Sequence, residues 1–233
     1  MSEGSYNFGM DVVTPADLYK GERGKNYFSS SERLGARAAL RHMFLWGRYV
    51  RRDDDVVEFG CGGGDLLAAL ACRRKAGVEI NPYAVEHARS LGIETRESLA
   101  DLPSGTFSVA ISSHALEHVA SPHAVLCELR RLLRPGGMLL LLLPLDDWRH
   151  YRHRHWKPLD PDMHVYAWTP LSLGNLLVSA GFSPLEIRLL NHAWPPRIDD
   201  LLWRISPTLF HAAAFVTSIV LRHRQLFARA VAS

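Results

Sequence analysis

The sequence is short of cysteine. Its three, Cys61, Cys72 and Cys127, form no CxxC pair and no even set, which excludes a disulfide framework and suits a reducing compartment. Long apolar runs are equally scarce. "LFHAAAFVTSIVL", Leu209 to Leu221, falls short of the roughly 20 residues a spanning helix needs. It reads as a buried or amphipathic helix, with sedimentation on anionic vesicles as a side expectation. The opening "MSEGSYNFGM" has no basic stretch followed by an apolar core, so no secretory signal is read there. Charge of one sign is also lacking: the net +3 is too small to imply nucleic acid as a partner. With no transmembrane segment, no repeat and no low-complexity tract, the chain reads as cytoplasmic.

What is present is enough for one domain. The 233 residues are 47% hydrophobic and 22% charged, an ordinary balance for a soluble fold with a sizeable core. Residues 1–30 are rich in Gly, Ser and Tyr without a sustained period, and read as an N-terminal arm; residues 31–233 form the domain. "SSSERLGARAALRHMFLWGRYV" predicts a helix capped by serines. "DDDVVEFG" predicts a strand running into a glycine turn, and "DLLAALACRR" resumes a helical pattern. "KAGVEIN", "IETRES", "FSVAISS" and "MLLLLLP" predict further strands. They alternate with helices opened by Pro82 and Pro122, and the leucine run is apolar enough to be buried on both faces. Alternation of this kind implies parallel βαβ units in a doubly wound α/β sheet with helices on both faces. The last third differs: a capped helix, "TPLSLGNLLVSAGF", then two strands, "SPLEIRLLNHAW" and "RQLFARAVA", separated by helix around 198–221.

"VVEFGCGGGD" puts four glycines and a cysteine directly after a buried strand. Such a turn brings backbone N–H groups to the strand's carboxyl end without a Cβ in the way. A dinucleotide site asks for GxGxxG; here Asp65 stands where the third glycine belongs, which argues against a nicotinamide enzyme. Glu79, at the end of the next strand, only accepts hydrogen bonds, so two ribose hydroxyls can share it. Cys61 reads as a small residue that fits the turn, with nothing nearby to activate a thiolate.

"VVEFGCGGGDLL", "GVEINPYAVEHAR", "LADLPSGTFSVAISSHALEHV" and "ELRRLLRPGGMLLLLLP" together resemble the successive motifs of class I S-adenosylmethionine-dependent methyltransferases. The chain is most similar to the small-molecule branch that includes the ubiquinone-biosynthesis O-methyltransferases. The resemblance implies a seven-stranded, mostly parallel Rossmann-like sheet with its last strand antiparallel, and S-adenosyl-L-methionine as cofactor. It places Glu58, Gly60, Cys61 and Gly62 around the methionine moiety, Glu79 on the ribose and Ile80 against the adenine. Ser98 and Leu99 would meet the adenine edge, and His114 would lie beside the reacting sulfur. Many relatives carry an acidic residue where Ser98 stands, and "FD" where this chain has Phe107-Ser108. Tyr19, Tyr27 and Arg33 fall in a stretch that often folds over the cofactor in similar enzymes.

Methyl transfer to a hydroxyl needs alignment, exclusion of water and a proton acceptor, and histidine suits the last near neutral pH. "SSHALEHV" and the segment after the fifth strand supply candidates; His118 and His164 are the catalytic choices. Any one of them could instead cap, pack or face solvent. Glu117, His118 and His164 could hold a divalent cation, as some related O-methyltransferases do, but no tight spacing supports it and no metal is assigned. "WRHYRHRHWK" interleaves Arg149, Arg152, Arg154 and Lys157 with Trp148, Tyr151 and Trp156. It suits an anionic small molecule over RNA, or is simply a solvated basic loop. The competing readings are a catalytically silent cofactor-binding domain and a methyltransferase acting on RNA or protein.

Overall fold

The computed structural model describes residues 17, 19–145, 155 and 164–233. The segment 148–157, apart from His155, therefore lies outside the described residues. Seven strands form one sheet: β1 Asp55–Phe59, β2 Arg74–Val78, β3 Glu94–Arg96, β4 Phe107–Ser113, β5 Leu133–Leu145, β6 Phe182–Leu190 and β7 Arg224–Ala232. Their order is β3-β2-β1-β4-β5-β7-β6. β1, β2, β3, β4 and β5 pair in parallel, and β7 runs antiparallel between β5 and β6. The order reverses between β1 and β4, and a crevice opens beyond the carboxyl ends of strands at such a point.

The leucine run on β5 shows why both faces need cover. Leu139, Leu141 and Leu143 join one core cluster with Phe107, Leu129 and Leu173. Leu140 and Leu142 join the other, with Trp46, Ile111 and Phe227. Successive side chains on a strand point to opposite faces, so an unbroken apolar run is what a doubly covered strand requires. β5 also begins earlier than "MLLLLLP" suggests. Phe107 pairs with Leu133, and the register shifts before Val109 meets Met138; "RPGG" is the bulge that takes up the shift.

Eight α-helices accompany the sheet among the described residues: α1 Gly21–Arg41, α2 Met43–Trp46, α3 Asp65–Ala69, α4 Pro82–Ser90, α5 Pro122–Leu132, α6 Pro170–Ser179, α7 Asp199–Ile205 and α8 Pro207–Val220. α6 starts in a reciprocal cap: Thr169 Oγ1 accepts from the Ser172 N–H, and Ser172 Oγ accepts from the Thr169 N–H. Three of these helices also differ from the sequence reading. α1 begins at Gly21, well ahead of the serines, so the arm drawn to residue 30 shares 21–30 with it. Its Lys20 N-cap makes no side-chain bond, and Gly21 and Gly24 are poor helix formers. The anchor is tertiary: Asn81 Nδ2 donates to the Gly24 carbonyl at 2.9 Å, and Phe28 packs on His87. α3 stops at Ala69, with Leu70 already extended. The helix expected around 198–221 is two helices, broken at Ser206, whose extended backbone starts α8 and whose Oγ accepts from the Leu209 N–H.

Candidate functional site

The glycine turn leaves β1 through Gly60, whose φ is +70°. A Cβ there would sit 2.4 Å from the Ala115 Cβ, so only glycine lets the turn pass under the loop after β4. The Gly60 and Cys61 N–H groups both donate to the Val78 carbonyl, at 2.9 and 3.2 Å, which locks the turn to the end of β2. There Glu79 is fixed by three backbone donors. Its Oε2 accepts from Gly62 at 3.0 Å, and its Oε1 accepts from Ile80 and Asn81, each at 2.8 Å. Oε1 is filled by its two donors, while Oε2 keeps acceptor capacity for a ligand.

A cavity of about 590 Å³ lies between this turn, α1 and the loop after β4. Of the residues proposed from sequence, Glu58, Gly60, Cys61, Gly62, Glu79, Ile80, His114 and His118 line it. Glu58 is 3% exposed and its Oε2 has no hydrogen-bond partner. Burial pushes its carboxyl well above the usual range, with Glu79 and Asp65 adding to the effect. A buried acid with an unanswered oxygen beside a cavity fits a cationic group such as the ammonium of S-adenosylmethionine. Burial also raises the Cys61 thiol well above its usual range, and a Cβ on Gly77 would strike its sulfur; this is a packing residue.

Ser98 and Leu99 lie instead in an adjoining recess that shares Phe59, Val78 and Glu97 with the main cavity. The Ser98 hydroxyl accepts from the Ala100 N–H and caps the turn Leu99–Asp101. Glu97, one residue before the position where acid was looked for, lines both spaces.

His114 follows β4 with φ +51°, a conformation that a non-glycine residue holds only when its surroundings enforce it. Its N–H donates to the Leu142 carbonyl at 2.8 Å. Its Nδ1 stands 3.6 Å from Oε1 of Glu117, and Nε2 of His118 stands 3.9 Å from the same oxygen. Glu117 is fully buried, and neither of its oxygens accepts a hydrogen bond. His164 does not line the cavity among the described residues. It packs on His118 with ring centroids 5.0 Å apart, and the neighbouring Val165 N–H donates to the Glu117 carbonyl at 2.8 Å. One ligand atom from each of Glu117, His118 and His164 falls within 4.8 Å of the others; folding supplies the proximity that sequence spacing did not show.

α1 forms the outer wall. Tyr19 and Tyr27 line the cavity, as expected, in edge-on contact at 5.0 Å; Arg33 does not line it. Burial pushes the Tyr19 phenol upward, with Tyr27, Glu79 and Glu117 contributing. Phe28, Glu32, Ala38, His42, Trp46 and Asn81 also line it and were not picked out from sequence. Asn81 carried a signal in its position before Pro82: its Oδ1 accepts from Tyr83 and Ala84 at the start of α4. Phe28, Glu32 and Ala38 lie on α1, His42 at the junction with α2 and Trp46 on α2, and their contact with the site is set by tertiary packing.

The methyltransferase-domain family pattern matches residues 30–187. A protein of Mycolicibacterium smegmatis named as an S-adenosylmethionine-dependent methyltransferase is 32% identical over 152 residues, 61% of this chain and 58% of that one. The ubiquinone biosynthesis O-methyltransferase of Methylococcus capsulatus is 34% identical over 113 residues, 42% of this chain and 46% of its own. The chain thus spans less than two thirds of either relative. The phosphoethanolamine N-methyltransferase 2 of Haemonchus contortus, solved with S-adenosylhomocysteine, superposes with a TM-score of 0.62 at 15% identity, over 95% of this chain and 60% of that one; this likeness is one of fold. The glycine turn locked to β2, the fixed Glu79 and the matched span lead to one conclusion: the chain belongs to the methyltransferase-domain family of class I S-adenosylmethionine-dependent proteins.

Proposed function

We propose that the protein transfers the methyl group of S-adenosylmethionine to a hydroxyl of a small-molecule acceptor in the cytoplasm. The observation that carries the reading is Glu79, a carboxylate held by three backbone donors at the mouth of a cavity whose floor is bare glycine turn. In this reading Glu79 takes the ribose hydroxyls, and Glu58, Gly60 and Gly62 surround the methionine end. Ile80 covers the adenine, whose edge meets Glu97, Ser98 and Leu99. His114 then lies towards the sulfur.

The cofactor supplies a methyl carbon activated by a sulfonium; the acceptor oxygen bonds to that carbon as the carbon–sulfur bond breaks and its electron pair stays on sulfur. The chain's part is to align the oxygen, keep water out under α1 and accept the hydroxyl proton. His118 is the proton acceptor in this scheme. His164 and Glu117 orient it, since both touch it from outside the cavity. The basic and aromatic residues of 148–157 favour an anionic acceptor.

A second reading of the same cluster is favoured by Glu117. Its buried, unbonded oxygens and the imidazoles of His118 and His164 offer the mixed nitrogen and oxygen donors that suit a divalent transition ion. Held there, the ion would polarise the acceptor oxygen, and His118 would serve as ligand, not base.

The test is transfer of label from methyl-labelled S-adenosylmethionine into a cell extract, separated into small polar molecules, lipids and glycans, RNA and protein, with Glu79→Ala as control. Label in a small-molecule fraction, absent with the variant, is the expected result. Label in RNA or protein overturns the acceptor class, and binding without transfer to any fraction points to a silent domain. Repeating the assay after chelation, with and without added divalent ion, separates base from metal ligand.

A further inference from the structure

α7 and α8 carry more apolar surface than the core uses. α8 buries one stripe, Phe210, Ala214 and Ser218, spaced by four and so stacked on one side of the helix. Phe215, Val216, Ile219 and Val220 stand outside that stripe, between 46% and 73% exposed, and α7 adds Leu201 and Ile205 at 59% and 63%. A helix apolar on both sides has a second apolar environment to meet. That environment is not a membrane interior crossed end to end: no helix among the described residues is long and apolar enough to span one.

Charge decides the occupant. Asp200 is the last acidic residue of the sequence; Arg204, Arg222, Arg224 and Arg229 follow it with no Asp or Glu. Arg204 and Arg222 are exposed, one near the end of α7 and one just past α8, and neither forms an ion pair among the described residues. A second copy meeting this face about a two-fold axis would bring the same arginines towards one another. Anionic headgroups meet them with opposite charge while the apolar side chains enter the interface.

We propose that the α7–α8 face seats on an anionic membrane surface, with α8 lying in the interface plane. This rests on the surface alone and not on the methyl-transfer reading. The face adjoins the cavity wall, because Phe44, just past α1, packs on His211 of α8 at 4.8 Å between centroids. A seated protein would therefore hold its outer wall close to the lipid.

The test is co-sedimentation with vesicles of phosphatidylcholine, alone and mixed equally with phosphatidylglycerol. The expected result is binding to the mixed vesicles that falls at least about tenfold on pure phosphatidylcholine. It should fall similarly from about 0.1 to about 1 M NaCl, as the Debye length shrinks from ~10 to ~3 Å. Phe215→Glu with Val220→Glu, and separately Arg204→Gln with Arg222→Gln, should each weaken binding about tenfold or more. Val220→Ser, at the most exposed of these sites, gives a smaller loss should the double glutamate fail to fold. S-adenosylhomocysteine binding, unchanged in all variants, reports the folded site independently. Wild-type protein left in the supernatant, or variants that sediment like it, would overturn the proposal. So would a dimer in size-exclusion chromatography that the glutamates dissolve, which would give the face to a second copy.

Discussion

At the scale of single residues, two of the acids that line the cavity, Glu79 and Glu58, are set up for opposite tasks. Glu79 is a carboxylate already oriented by three N–H donors, so replacing it removes charge-assisted bonds without disturbing a core. Glu79→Ala is expected to weaken S-adenosylhomocysteine binding by about 2–4 kcal/mol, roughly 30- to 1000-fold, with little change in melting temperature; calorimetric titration checks the first and a thermal unfolding scan the second. Burial pushes the Glu58 carboxyl well above its usual range, with Glu79 and Asp65 adding to the effect. A ligand ammonium beside it favours the carboxylate, so binding expels the proton and tightens as pH rises. Titration in two buffers of different ionisation enthalpy should show proton release that Glu58→Gln abolishes.

The residues also show what the sequence disclosed. Glu58, Gly60, Gly62 and Glu79 are legible because the contacts that matter run between a strand end and the next strand end, at fixed spacing. Glu97, which lines the cavity, was not picked out, because the sequence does not show that Ser98 caps the turn that follows. Glu117, His118 and His164 were named, yet their proximity was not legible: it depends on the tertiary contact that lays the Val165 N–H on the Glu117 carbonyl.

At the scale of elements, the outer wall depends on a clasp between the ends of the chain. Arg37 and Arg41 of α1 both pair with Asp199 and Asp200 at the start of α7. Arg41 is 2% exposed and its guanidinium lies 4.5 Å from the Trp194 ring centroid and 4.8 Å from that of Phe210. Losing Asp199 would leave that buried cation with only the more exposed Asp200. Asp199→Ala is expected to cost about 3 kcal/mol and to raise hydrogen exchange in α1 more than in the sheet, measured by mass spectrometry. None of this is visible in the helical pattern of α1, whose glycine-containing first turns speak against a helix at all; tertiary contacts override that propensity. The β5 leucines were legible for the opposite reason: two faces, each covered, need apolar residues at every position.

For the whole molecule, acid is the condition to which the fold is most exposed. His42 and His192 are buried, with ring centroids 5.2 Å apart. Burial lowers them from 6.5 to about 3 and about 4, with neighbouring histidines and Arg41 adding to the effect. Between the ordinary and the lowered values the folded protein binds fewer protons than the unfolded chain, so stability is full above about pH 6.5 and falls as pH drops. Each ring contributes about 1.4 kcal/mol per pH unit within its window. Glu58 acts in the other direction, since its raised value makes the folded state bind more protons. Thermal unfolding from pH 7 to pH 4 should therefore show a loss that is shallower in His42→Gln and steeper in Glu58→Gln.

The clasp between α1 and α7 has a consequence for how the protein is made. Its acids Asp199 and Asp200 are synthesised about 160 residues after Arg41, roughly 8–30 s at ordinary elongation rates. Through that interval α1 carries Arg41 without its acids, while α3 and α4, on which it packs, are already made. The Arg41 end of α1 is thus the last part of the outer wall to be fastened, and a nascent chain stalled before residue 199 holds α1 through Asn81 and His87 but not through its arginines.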